Sequence, residues 1–248
     1  FFGFDQQVLA KIRAQYGDRV QFFAQYYNDP NDPGSQAIDT TKFQYYEKKL
    51  LENVDGNWYI KERKLNVYAA IDFAFSRKAK ADYTAIVVAG VDSLNNFYVL
   101  DILRFKTDRI KEYFDNILVA HGKWGFRKIR AEVSVAQQSI VSELKESYIK
   151  PAGIALSVDE YRPSRHEGDK EERMEAILVP RYENMQVWHY RGGNCQLLEE
   201  ELVLRRPPHD DIKEALSNCI AIAKAPAQHN MMNKNNNIVY HSRFGGIR

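Results

Sequence analysis

The sequence is poor in several things that would point to other classes of protein. It has two cysteines, Cys195 and Cys219, in 248 residues, and both fall in helix-like patterns. That excludes a disulfide framework or a cysteine-based zinc site and fits an intracellular, reducing setting. No apolar run approaches the roughly 20 residues needed to cross a bilayer, and no signal-peptide pattern precedes the first segment. There is no GxxxxGK[ST] phosphate-binding loop, no Ser/His/Asp order of a nucleophilic triad, and no metal-ligand spacing among the six histidines. His209 reads as a loop residue rather than a general base. Charge of one sign is also missing: the formal net charge is +2, so nucleic acid would have to be bound by a local patch.

What is present is a chain that is 44% hydrophobic, enough for one sizeable core plus an appendage. It begins at Phe1 rather than Met, which suggests a piece of a longer protein. Val8, Leu9, Ile12 and Tyr16 have helical spacing behind Asp5. A strand-like VQFFAQYY follows, then the turn or linker NDPNDPGS, then aromatic residues from Phe43 to Tyr46 and a short strand at Trp58–Ile60. Residues 1–63 read as a linking or packing segment, 64–225 as the principal domain, and 226–248, rich in asparagine, as a polar, flexible tail.

The principal domain reads β, β, β, α, β, α, β and then helices, an α/β pattern with a mixed sheet flanked by helices. Strands are predicted at 67–71, 84–89 and 97–103. A helix from a Thr107 cap to His121 ends at Gly122, a strand covers 128–133, and a helix carries Ile140, Leu144 and Tyr148. IALSV is a further strand, 170–178 a helix, MQVWHY an edge strand, and QLLEEELVLRR and HDDIKEALSNCIAIAKA the last two helices.

Acidic residues stand where these elements end. Asp72 closes a buried strand and Glu132 another, while Asp210 and Asp211 open the final helix. An unpaired buried carboxylate costs several kcal/mol, roughly, so each needs a cation or donor nearby. Asp72 has Arg77 and Lys80 in the following loop, Glu132 has Arg130, and the helix dipole favours acids at 210 and 211. With the apolar stripe Ile212, Ala215, Leu216, Cys219, Ile220 and Ala223 turned to the core, Asp211 leans toward the sheet and Asp210 toward water. If the acids converge, hard oxygen donors select Mg²⁺ or Mn²⁺. Two such ions would serve an in-line phosphodiester displacement. Arg77, Lys78 and Lys80, with Arg162, Arg165, Lys170 and Arg173, are the candidate DNA-backbone contacts; salt pairing of Lys170 and Arg173 with Glu167 and Glu171 is the simpler alternative.

The segments AAIDFAFSRKAKADYTAIVV, IRAEVSVAQQSIVSEL and HDDIKEAL, in that order, resemble the nuclease domain of the large terminase subunit of tailed bacteriophages, over roughly residues 64–225. FFAQYYNDPNDPG also resembles the segment that joins the ATPase to the nuclease in that family. The resemblance implies a ribonuclease H-like, RuvC-type fold and a metal-dependent endonuclease that cuts concatemeric double-stranded viral DNA during genome packaging. It makes Asp72, Glu132 and Asp211 catalytic metal ligands for Mg²⁺ or Mn²⁺, two ions in number. Asp210 is an alternative to Asp211, and Asp82 is either a further ligand or a turn residue. It also implies an upstream ATPase domain, there being no ATP site in this chain, portal and small-terminase partners, no membrane, and action in the host-cell cytoplasm outside the mature virion. A Holliday-junction resolvase, an integrase-type enzyme or a non-catalytic motor or portal docking module are the competing expectations.

Overall fold

The computed structural model describes residues 38–74, 82–134, 137–164, 166–204 and 207–227. The expected helix at 5–16, the strand VQFFAQYY, the turn NDPNDPGS, residues Arg77, Lys78, Lys80 and Arg165, and the tail from 228 lie outside these residues.

The fold is a nine-stranded mixed sheet with helices on both faces. β1 (Gln44–Tyr46) is followed by the hairpin β2 (Leu51–Val54) and β3 (Asn57–Ile60), then by the long β4 (Arg63–Asp72), β5 (Thr84–Val91) and β6 (Phe97–Phe105). Next come α1 (Ile110–Trp124), β7 (Lys128–Glu132), α2 (Gln138–Glu143, continued by a wide turn at Leu144–Ile149) and β8 (Ser157–Tyr161). The chain goes on through α3 (Lys170–Glu183), β9 (Val187–Tyr190), α4 (Asn194–Val203) and α5 (Asp211–Ile222).

The strand order is β1-β9-β6-β5-β4-β3-β2, with β7 on β4 and β8 outside β7. β4, β5 and β6 are antiparallel, as their short links require, whereas β7 and β8 run parallel to β4. β5, TAIVVAGV, is buried at every position, which is why it reads as an unbroken apolar run. Gly90 sits where a Cβ would come within 3.0 Å of Leu65 Cδ1, so the absence of a side chain there lets Leu65 and Leu100 close over the strand.

Local signals fix the helices. α1 buries Tyr113, Ile117, Ala120 and Trp124 on one face. Gly122 does not stop it; the chain turns at Gly125, whose φ of 68° is the left-handed conformation a helix C-terminus favours. α3 opens with a capping box in which Asp169 accepts from Glu172 N and the Glu172 side chain accepts from Asp169 N. It runs five residues past the expected end at 178 because Pro180 is accommodated inside its final turns. The strand expected at IALSV starts three residues later, at Ser157, and MQVWHY is no edge strand: β9 lies between β6 and β1.

The alternating side chains of β4 sort the two faces. Phe73 meets the Tyr113 ring of α1 edge-on, with centroids 5.1 Å apart, whereas Ala70 packs against Cys219 of α5 on the opposite face. α5 lies across β4, β5 and β7 and is enclosed by α3 and α4, so even its off-stripe residues Lys213, Glu214, Ser217 and Asn218 are buried. No helix among the described residues is long and apolar enough to cross a membrane.

Candidate active site

Register brings the first two acids together. β4 and β7 are parallel with Ile71 opposite Ala131, so Asp72 and Glu132 are the next residues of adjacent strands, ending on the same face of the sheet. α5 crosses that face and supplies the third acid, which is Glu214. Its carboxyl shares a hydrogen bond with Asp72. Burial, and the charge of the other acid, push the Glu214 carboxyl up to about 9. Burial raises Asp72 to about 7, and Asp211 and Asp210 add to the rise while Lys170 and the Glu214 hydrogen bond oppose it. At neutral pH the Asp72–Glu214 pair therefore holds a proton between them.

Two basic residues of α3 face this cluster. Lys170 Nζ donates to Asp210 Oδ1 at 2.9 Å and forms a still closer contact with Glu214 Oε2. Burial alone would lower the Lys170 ammonium; Glu214, Asp210 and Asp72 outweigh it and hold it charged. Arg173 donates to Glu132 Oε1 at 2.8 Å, and Asn218 Nδ2 donates to Glu132 Oε2 at 3.2 Å. Glu132, Lys170, Arg173, Glu214 and Asn218 line a cavity of about 230 Å³ that continues past Arg130 and Tyr161. The close ion pairs of Lys170 and Arg173 are thus with the acids of the cluster rather than with Glu167 and Glu171, although the Arg173 charge also helps to lower the Glu167 carboxyl. Both cations turn inward to the acids.

The helix-start pair behaves differently from its expected division of labour. Asp211 is buried, as the stripe argument requires, but both of its oxygens are held by Arg104, at 2.6 Å from Nε and 3.4 Å from Nη2. Asp210, half-buried, is the one joined to Lys170. Glu201 of α4 completes the anchoring of this end: its Oε2 accepts from Ile212 N at 2.9 Å and Lys213 N at 2.8 Å, capping the helix. Burial raises the Glu201 carboxyl well above its usual range, and Asp211 beside it adds to the effect.

The remaining candidates lie around this core. Asp82 is exposed just before β5, its Oδ1 3.6 Å from His209 Nδ1, while His209 packs edge-on against Tyr83. Arg162 is exposed and donates to Glu160 at 3.4 Å. Elsewhere, His189, Cys195 and Glu199 bring ligand-type atoms within 4.8 Å of one another. There His189 Nε2 bonds the Tyr182 hydroxyl at 2.7 Å and Nδ1 bonds Glu199 at 3.2 Å, a satisfied polar network inside the core.

Glu214 is the residue that local pattern missed. It stands four residues after Asp210 and three after Asp211, on the same side of the helix, and that spacing was the available signal. As a donor set, Asp72, Glu132, Glu214 and Asp210 are all oxygen ligands whose mutual repulsion calls for positive charge. Their chemistry suits a hard divalent cation, although among the described residues no three of these acids bring carboxylate oxygens within 4.8 Å of one another, with Glu132 held apart by Arg173 and Asn218.

Neither family models nor curated proteins match the sequence. Among solved structures, the large terminase nuclease from thermophilic phage G20c superposes with a TM-score of 0.52 at 12% identity, covering 77% of this chain and 100% of that one. Its magnesium-bound form gives 0.52 at 14% identity over 78% and 100%. The zinc-bound form gives 0.50 at 16% identity over 74% and 96%. At such identities the likeness is one of architecture, and what it establishes is that this chain shares the fold of the phage G20c large terminase nuclease, a mixed sheet flanked by helices.

Proposed function

We propose that this chain is a Mg²⁺- or Mn²⁺-dependent endonuclease that cuts double-stranded viral DNA concatemers during genome packaging. The observation that carries the reading is the placing of carboxylates from two strand ends and the last helix at one end of the sheet: Asp72 is hydrogen-bonded to Glu214, Lys170 joins Glu214 to Asp210, and Glu132 and Glu214 line a cavity together with Arg130, Lys170 and Arg173. These four acids would hold the metal, two ions in this reading. When bound, divalent ions supply a lowered water pKa and charge stabilisation of both attacking and leaving oxygens.

The chain's own residues do the rest. Asp72 and Glu214, which share a proton, would have to lose it to hold a cation. Arg173 and Lys170, paired to Glu132, Glu214 and Asp210 here, would be freed by a cation at those acids to bind the phosphate backbone by charge, without reading its sequence. Arg162 and the basic residues Arg77, Lys78, Lys80 and Arg165 extend that footing in this reading. Asp211 acts at one remove, fixing the helix through Arg104, and Asp82 belongs to the rim with His209. The same reading places an ATPase domain upstream, portal and small terminase subunit as partners, and the host-cell cytoplasm as the site of action.

The test is cleavage of supercoiled plasmid in Mg²⁺ or Mn²⁺ by the native chain and by Asp72→Asn, Glu132→Gln and Glu214→Gln. Nicking by the native chain that falls at least about 100-fold in each variant supports the reading. Unchanged nicking in the variants, or no metal-dependent nicking by the native chain, overturns it. Faster cutting of a four-way junction than of linear duplex would assign a resolvase instead.

A further inference from the structure

The outer edge of β4 is shared by two strands. β3 pairs with it at residues 63–65 and β7 at residues 69–71, so Asn66, Val67 and Tyr68 have no strand neighbour on that side. The gap opens into a second cavity, about 370 Å³, that has no lining residue in common with the carboxylate cavity. Its walls carry Lys64, Arg127 and Lys128 and no acidic residue.

Lys128 is joined to Asp159 at 3.3 Å, but among the described residues neither Lys64 nor Arg127 has an acidic partner, and both are exposed. Aromatic surface lies beside them: Trp58 packs on Trp124 with ring centroids 4.6 Å apart, and Tyr68 lines the α5 side. The Trp58 indole N–H is buried and has no hydrogen-bond acceptor among the described residues. That N–H is closed off from the gap, so the ligand chemistry is set by the cations and the rings: uncompensated positive charge beside planar aromatic surface suits a phosphate ester attached to a nucleoside.

The gap also lies in line with the acids. Lys128, Arg130 and Glu132 alternate onto one face of β7, with Asp159 between the first two, at 3.3 Å from Lys128 and 2.7 Å from Arg130. Four residues of strand put the gap roughly 13 Å from Glu132. That favours a polymer over a small molecule. We propose that the gap between β3 and β7 binds the phosphate backbone of nucleic acid, as a second footing for the strand that lies at the carboxylates. The location of the scissile phosphate rests on the nuclease reading; the binding itself does not.

The experiment is fluorescence anisotropy of a labelled 30-base-pair duplex in EDTA, with the native chain, Lys64→Glu/Arg127→Glu, and the milder Lys64→Gln/Arg127→Gln. The charge-reversed protein should bind about tenfold more weakly. Its plot of log affinity against log salt should be shallower by about 2, one unit for each lost phosphate contact. The glutamine variant should move the same way by less, and it decides the matter if the charge-reversed chain does not fold. In Mg²⁺ at saturating duplex, kcat should match the native value while KM rises.

Affinity and salt slope equal to native in a variant with native melting temperature would overturn the proposal. So would a change in tryptophan fluorescence with inorganic phosphate or a nucleoside monophosphate that needs Lys64 and Arg127 while duplex affinity does not, since the site would then serve free phosphate compounds. A native chain that binds duplex through these residues yet cuts nothing in Mg²⁺ or Mn²⁺ would sink the nuclease reading and leave the gap's role standing.

Discussion

Asp72→Asn should make the metal-free protein more stable, and only above acid pH. Folding raises the Asp72 carboxyl from 3.8 to about 7, chiefly through burial. Between those two values the folded chain binds more protons than the unfolded one, so the contribution of this group to stability falls as pH rises through the window. The shift of roughly 3 units corresponds to a ceiling of about 4 kcal/mol held against the native fold at pH 8. Partial exposure of Asp72 and its coupling to Glu214 bring the usable figure to about 2 kcal/mol. For a chain of this size that is a rise of about 4–8 °C in Tm. Thermal unfolding in EDTA should therefore show Asp72→Asn level with the native chain near pH 4 and above it at pH 8. Added Mg²⁺ should stabilise the native chain and leave the variant unmoved. If Asp72→Asn is less stable than native at pH 8, Asp72 is a net stabilising partner of Lys170, and the picture of an acid pair strained until a divalent cation arrives is wrong.

Other substitutions separate chemistry from support. Asp211→Asn removes the carboxylate charge that the buried Arg104 guanidinium pairs with and leaves one acceptor oxygen in its place, so chemical denaturation should show a loss of about 3 kcal/mol, with Mn²⁺ affinity by calorimetry little changed. Lys170→Met removes the cation that competes for Glu214 and Asp210, so calorimetric Mn²⁺ affinity at pH 8 should rise several-fold; a fall would show that Lys170 assists ligand deprotonation more than it competes. Mn²⁺ binding by the native chain should release protons and strengthen with pH from about 6 to 9, the range set by Asp72 near 7 and Glu214 near 9, and a flat profile would rule out the shared proton. Gly90→Ala should cost about 1–3 kcal/mol in denaturant unfolding, because the new methyl on β5 meets Leu65 of β4 and Leu100 of β6.

Much of the sheet could be read from residues. β5 is a uniform apolar run and β6 a largely apolar one interrupted by Asp101 and Arg104, with a turn of Asp92 to Asn96 between them, and that local pattern is sufficient to place antiparallel neighbours. Asp72 and Glu132 were legible as strand-end acids, although their adjacency depends on the parallel register of β4 and β7, which no local pattern carries. Glu214 was not legible for a related reason. It lies off the apolar stripe of α5 and so reads as solvent-facing, whereas α3 and α4 wrap the helix and bury that side as well. Lys170 and Arg173 show the same limit: their nearest acids in sequence are Glu167 and Glu171, and their partners in space lie on β7 and α5.

The enclosure of α5 has a consequence for how much this centre can change. Its first turn is clamped by Glu201 and Arg104, its small residues press on the sheet, and α3 and α4 close it in. A helix so confined cannot slide to follow a shorter ligand. Glu214 reaches Asp72 by virtue of its length, and replacement by aspartate would open a shortfall of about one carbon–carbon bond that no backbone movement makes good. Side-chain reach is thus the one adjustable dimension at this corner, and the distance across it is set by the interior of the protein.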